Sequence, residues 1–211
     1  PTFLYVAFNA PHLPNEAPDV SIEMASEIEN QNRRTHAAMM IELDHAIGRI
    51  LDAFGHEGLA KNTLVIFSSD NGGLNEASSP PPLVGLSDFL VGLFGRPIPV
   101  ESLEFLVTNI KDGGSDNTPL PGGKTSTQEG GVRVPAAIWW PGELEGGRHL
   151  GFMTISDVLP TILEAVGESH QIPDDLDGRS QWSTLRDPGT STGGVADYVT
   201  VGTGGSSLYR A

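Results

Sequence analysis

The feature that most constrains this chain is an apolar run that breaks abruptly into small polar residues. Thr63-Leu64-Val65-Ile66-Phe67 leads directly into Ser68-Ser69-Asp70-Asn71-Gly72-Gly73. Five β-branched, aliphatic or aromatic residues in a row suit a strand buried on both faces, as in a parallel sheet covered by helices. The Asp-Asn-Gly-Gly that follows is turn chemistry at a strand end. In open α/β sheets, ligands collect beyond the carboxyl ends of the strands.

The flanking segments extend this pattern. Thr2 to Asn9 is almost continuously apolar and reads as another core strand, ending at Ala10-Pro11-His12-Leu13-Pro14, where two prolines force an extended loop. Between the two runs, Met40, Leu43, Ile47, Leu51 and Phe54 recur every three or four residues, which predicts a helix over 34–54 stopped by Gly55 and Gly58. Strand, helix, strand in this order is a βαβ unit with parallel strands and a right-handed connection.

Further on, a glycine-rich loop over 120–133 precedes a third strand, 134–140, closed by Pro141-Gly142. A helix is expected from Ser156-Asp157, with Val158, Leu159, Ile162, Leu163 and Val166 on its apolar face and Gly167 at its end. Residues 76–116, with Pro80-Pro81-Pro82 and two short helical patterns, read as an insertion outside the core. After Arg179 the chain turns rich in Gly, Ser and Thr, with Tyr198-Val199-Thr200-Val201 as a candidate edge strand.

The fold class is therefore α/β, a mainly parallel (mixed) sheet sandwiched by helices. Residues 1–180 form one domain with its insertion at 76–116, and 181–211 begin a smaller subdomain or a tail. A chain opening directly on a core strand is expected to lack an N-terminal part.

Charge and residue usage exclude several functions. Asp and Glu number 27 against 12 Lys and Arg, a net charge of −15, which repels nucleic-acid phosphates. There is no cysteine, hence no disulfide, thiolate metal site or Cys nucleophile in the chain. No apolar run is long enough to span a bilayer. Oligomeric state is not readable.

Four residues stand out as candidates for chemistry. Asp70 and Asn71 offer two hard oxygen ligands of the kind Ca²⁺ or Mg²⁺ takes; the alternative is an Asx turn followed by glycines. His12, between rigid prolines, could bind an anion or move a proton; the alternative is a solvated loop histidine. Lys124 follows two glycines that let backbone approach a ligand, and its ammonium suits a sulfate or phosphate oxygen. Gly122-Gly123-Lys124-Thr125 is not a P-loop, because the earlier glycine that the pattern requires at fixed spacing is missing. Glu129 and Arg133 are expected to pair and brace the loop. His36, His45, His56, His149 and His170 lack metal-ligand spacing.

Several segments, in order, resemble the sulfatase family of the alkaline-phosphatase-like superfamily. They are Phe3 to His12, the helix His36 to Asp44, Asn62 to Gly73, Pro119 to Lys124, Glu129 to Pro135, Asp157 to Leu163, and Leu176-Asp177-Gly178. The resemblance covers about 2–75 and 117–180 and leaves out the insertion. It implies a sulfuric ester hydrolase acting on a small sulfate ester or a sulfated glycan. It implies that Asp70 and Asn71 are the late pair of metal ligands, usually for Ca²⁺ with Mg²⁺ as the alternative. It further implies that Lys124 contacts the sulfate and the bridging oxygen, and that His12 hydrogen-bonds the sulfate and protonates the leaving group.

The family's Cys-x-Pro-x-Arg or Ser-x-Pro-x-Arg signature, whose first residue becomes the formylglycine nucleophile, does not occur here. The resemblance therefore implies that it lies upstream, with the early aspartate pair of the metal site, and that the 211 residues alone are inactive. A phosphoester or phosphonate hydrolase of the same superfamily and a non-catalytic sulfated-glycan-binding relative are the alternatives. A lysosomal, secreted or periplasmic home is the family's expectation.

Overall fold

The computed structural model describes residues 2–75, 114–149 and 151–187, together with the backbone of 198–202 and 206–210. Most of the expected insertion, including Leu90, Leu93 and Phe105, lies outside these residues. Two compact units divide the chain: Pro1–Gly58 with Ser68–Ala136, and Leu59–Phe67 with Ala137–Ala211.

The first unit contains a helical pair. Helix α1 (Asp19–Met24) lies against α2 (Gln31–His56). Helix α2 starts earlier than the spacing of its apolar residues predicts, because the Asn30 side chain accepts the Arg33 N–H at 2.9 Å and satisfies one of the orphan donors of the first turn. Past its end at His56 the chain turns at Gly58, whose φ of 70° only glycine adopts freely.

The buried residues of α2 are Ala38, Met39 and Leu43, while Ile47, Leu51 and Phe54 are half-buried and Met40 is exposed. The buried stripe is thus rotated from the predicted one. Small residues mark the contact, with Ser21 and Ala25 buried at α1, and the Ser21 hydroxyl donates to the Glu42 carboxylate.

The run Thr2 to Asn9 is not the core strand expected. It has no regular secondary structure and is exposed throughout, with Phe3 at 79% and Tyr5 at 81%. Apolar residues form a strand only when a neighbour supplies ladder hydrogen bonds, and among the described residues no strand pairs with this one. The βαβ reading therefore keeps its helix and second strand but not its first.

Strand β1 (Val65–Ser68) pairs with β2 (Ala136–Trp139), both shorter than predicted. Ser69, past β1, donates to Pro135 O, ahead of β2, at 3.2 Å. The Trp140 indole, past β2, donates to Lys61 O, ahead of β1, at 3.0 Å. Neighbours bonded exit to entrance in this way run antiparallel. The strands are not buried on both faces: Val65 and Ile66 are half-buried, and Phe67 and Trp139 are exposed. A two-stranded sheet covers too little of its own surface to do otherwise.

The second unit is organised around a buried carboxylate. A 3₁₀ turn (Ile155–Asp157) leads into α4 (Val158–Ala165), the helix that follows α3 (Glu129–Val132) in the chain. Asp157 stands at the N-cap position of α4, where the helix was expected to start, and the 3₁₀ turn before it is capped by Thr154. The Thr154 N–H and hydroxyl both donate to Asp157 Oδ2, at 2.8 and 3.2 Å, and the Arg179 N–H reaches Asp157 Oδ1 at 2.8 Å.

The buried residues of α4 are Pro160 and Thr161, whereas Leu159 and Val166 of the expected apolar face are exposed. Thr161 is held because its hydroxyl donates to Asp157 O and accepts the Gln181 N–H at 3.0 Å. Gly178 is required by proximity: a Cβ there would lie 2.0 Å from Ser156 O. Helix α5 (Trp182–Arg186) places Trp182 against Trp140, ring centroids 5.7 Å apart. The candidate edge strand is realised in a hairpin, β3 (Tyr198–Gly202) antiparallel to β4 (Ser206–Arg210), with Thr200 opposite Leu208.

Candidate active site

Beyond β1 the chain enters the Asp70–Gly73 turn. Asp70 is exposed, and its Oδ1 accepts the Asn71 N–H at 2.9 Å. Asn71 is half-buried and its Nδ2 donates to Gly72 O at 2.9 Å. Among the described residues no hydrogen bond reaches Asp70 Oδ2 or Asn71 Oδ1. Both bonds run to the next residue rather than two residues on, so this is not an Asx turn, and it presents two hard oxygens from adjacent residues.

The loop carrying Lys124 folds onto this turn. The Lys124 N–H donates to Gly73 O at 2.9 Å, and the Gly72 N–H donates to Gly131 O at 2.9 Å. Backbone meets backbone, and glycines make that possible. A Cβ on Gly72 would stand 1.7 Å from Gly130 O, one on Gly130 2.3 Å from Gly122 O, and one on Gly131 2.3 Å from Ser126 O. Buried Ser126 closes the loop internally: its N–H donates to Gly123 O at 3.0 Å and its hydroxyl accepts the Gly123 N–H at 3.2 Å.

Lys124 is half-buried, and Thr125 beside it has φ 73°, a left-handed conformation that a β-branched residue rarely adopts. Glu129 and Arg133 pair at 3.0 Å, as expected, on the exposed side of α3, where such i,i+4 pairs contribute only about 0.3–0.5 kcal/mol.

No sequence pattern singled out Asn117, yet it ties the assembly together. Its Oδ1 accepts the Gly73 N–H at 2.9 Å, and its Nδ2 donates to Gly73 O at 2.9 Å and to Gly122 O at 3.4 Å. The preceding Asp116 is held below the usual carboxylate range, first by the Thr118 N–H and then by the Thr118 hydroxyl, with Arg33 adding to the effect. The Thr118–Pro119 bond is cis.

The structure thus joins the Lys124 loop by backbone hydrogen bonds to Gly72 and Gly73, the residues that follow Asp70 and Asn71. It does not tie His12 to them by any hydrogen bond among the described residues. His12 is exposed between the cis Ala10–Pro11 and Leu13–Pro14 bonds. Its N–H donates to Asn9 O, and its Nδ1 lies 2.8 Å from Leu13 O. A carbonyl only accepts, so Nδ1 carries the proton and Nε2 is the free face of the ring. Of the other histidines, His36 on α2 is pushed to a lower pKa by burial and then by Arg33. His149 pairs with the Thr184 hydroxyl at 3.2 Å and His170 with Glu168 at 3.6 Å.

The sequence pattern of the family described as Sulfatase matches residues 1–168. The chain belongs to the sulfatase family. It is 30% identical over 191 residues to the uncharacterized sulfatase YdeN of Escherichia coli, covering 89% of this chain and 27% of that protein. It is 31% identical over 188 residues to arylsulfatase J of Mus musculus, covering 88% and 25%. It is also 31% identical over 183 residues to N-acetylgalactosamine-6-sulfatase of Rattus norvegicus, covering 84% and 27%. The chain spans about a quarter of the length of these curated relatives. Among solved structures it resembles Ps i-CgsB in complex with k-i-k-neocarrahexaose, with TM-score 0.65 and 31% identity over 86% of this chain and 33% of that one.

Proposed function

We propose that this chain is the later part of the catalytic domain of a sulfuric ester hydrolase, whose substrate is a small sulfate ester or a sulfated glycan. Membership of the sulfatase family and the Lys124 N–H to Gly73 O bond, which unites the lysine loop with the Asp70–Asn71 turn, support this reading. In the complete domain the β1–β2 pair would belong to a mainly parallel, mixed sheet sandwiched by helices. Residues 1–180 would belong to that domain, and 181–211 would begin a smaller subdomain.

Asp70 Oδ2 and Asn71 Oδ1 fit a hard divalent cation, Ca²⁺ or Mg²⁺, by donor type. Two side chains fall short of the six to eight oxygens that Ca²⁺ takes, and among the described residues no group of three His, Cys, Asp or Glu is placed to hold a metal. The remaining ligands would come from upstream, as would the formylglycine nucleophile. Such a cation, when bound, polarises the sulfate.

The roles of this chain's own groups follow from their chemistry. As the bond between sulfur and the leaving oxygen breaks, negative charge moves onto that oxygen. The Lys124 ammonium stabilises it. His12, with Nδ1–H directed to Leu13 O, is oriented to hold a second proton on Nε2 and give it to the leaving oxygen.

The test is aryl sulfate hydrolysis by a protein that includes the upstream signature. We expect turnover there, a loss of about 10²–10³-fold in Lys124→Ala, and none from the 211 residues alone. Turnover by the short chain that disappears in Lys124→Ala would show that the nucleophile lies within these residues and would sink the reading.

A further inference from the structure

Asn117 stands 44 residues from Gly73 in sequence, and its amide uses both ends on that one residue. The assignment of its oxygen and nitrogen is fixed by its partners: reversed, an NH₂ would face the Gly73 N–H and an oxygen would face two carbonyls. Gly73 O in turn receives the Lys124 N–H. One residue, Gly73, therefore lies between the turn bearing the cation-type oxygens and the loop bearing the ammonium, and Asn117 fixes it from the side by its N–H and its carbonyl. Its third bond, to Gly122 O, reaches the same loop two residues before Lys124. Lys124 is consequently anchored through its own N–H, to the clamped Gly73, and two residues earlier through Gly122, to Asn117 itself.

We infer that Asn117 is a positioning residue: it sets the distance between Lys124 and the Asp70–Asn71 turn by clamping Gly73, and touches no substrate itself. The inference rests on the sulfatase reading for its functional consequence, but the clamp can be tested without it. A small displacement of a charge from where it meets the transition state lowers turnover more than binding.

Hydrogen exchange in the full-length protein is the first measurement. In Asn117→Ala, the Gly73 and Lys124 amides should exchange about tenfold faster, while the Gly72 amide, bonded to Gly131 O, keeps its rate. Asn117→Asp, which keeps an acceptor for the Gly73 N–H and loses the donor to both carbonyls, should free Lys124 more than Gly73. It also serves if the alanine variant does not fold. Unchanged exchange at Lys124 overturns the inference whatever the activity.

The second measurement is kinetic. We expect kcat for an aryl sulfate to fall about tenfold in either variant, with KM moving by less than about threefold. Faster exchange with kcat per folded molecule unchanged means the clamp is structural only, and it too overturns the inference. If the wild-type protein hydrolyses no sulfate ester yet the exchange pattern appears, the activity reading fails while the clamp between turn and loop stands.

Discussion

Helix α2 and the loop assembly around Gly72 both contain glycines, and the same residue does opposite things in them. A methyl group at Gly48, in the middle of α2, would meet nothing within 4 Å. A methyl group at Gly72 would enter the Gly130 carbonyl at 1.7 Å. In the helix, glycine is a propensity cost with no compensating contact. In the assembly it allows three stretches of backbone, 70–73, 121–126 and 129–132, to bond directly to one another. The helix could be built from many sequences, whereas the candidate site requires backbones close enough to exclude side chains.

The largest test of this contrast is Gly72→Ala. Backbone rather than a flexible side chain blocks the new methyl, so the loss should be about 3 kcal/mol or more in chemical denaturation. A cost under about 1 kcal/mol would mean the close approach is not maintained. Gly48→Ala should go the other way, stabilising by about 0.5–1 kcal/mol in the same assay. Destabilisation there would show that α2 has a neighbour on that side.

The smallest expected effect is acid sensitivity in α2. The lowered pKa of His36, from burial and then Arg33, means the folded state resists protonation that the unfolded chain accepts. Its contribution is complete above the ordinary histidine value of about 6.5 and is lost as the pH falls through the lowered folded value. His36→Asn should flatten that part of the stability profile, and an unchanged slope would remove His36 as its cause.

Much of the local structure was written in residue order. The 3.6-residue recurrence placed α2, Asn30 marks its start in retrospect, and the apolar run before Ser68 placed β1. The Asp-Asn-Gly-Gly turn, the Gly-Gly-Lys loop and the Glu129–Arg133 pair were each visible as patterns, and their order carried the family. These signals depend on neighbours within a few residues, so the sequence alone supports them. Over Thr2 to Asn9 it predicted a strand that the structure does not show, because a strand is a relation to a partner and an apolar run carries no information about whether one is present.

Tertiary structure alone decided which glycines are obligatory, that the Lys124 amide is bonded to the Asp70–Asn71 turn, and that Asn117 holds the two together. It also turned the buried stripe of α2 toward Ala38 and Met39 and buried Thr161 where Leu159 was expected. The physical reason is common to all of these. The Lys124 N–H meets Gly73 O across 51 positions through backbone groups that every residue possesses, and the Asn117 side-chain amide reaches Gly73 across 44. Residue identity constrains the backbone contacts by what it leaves out, a Cβ at Gly72, and the clamp by what it supplies, the acceptor and donor of the Asn117 amide.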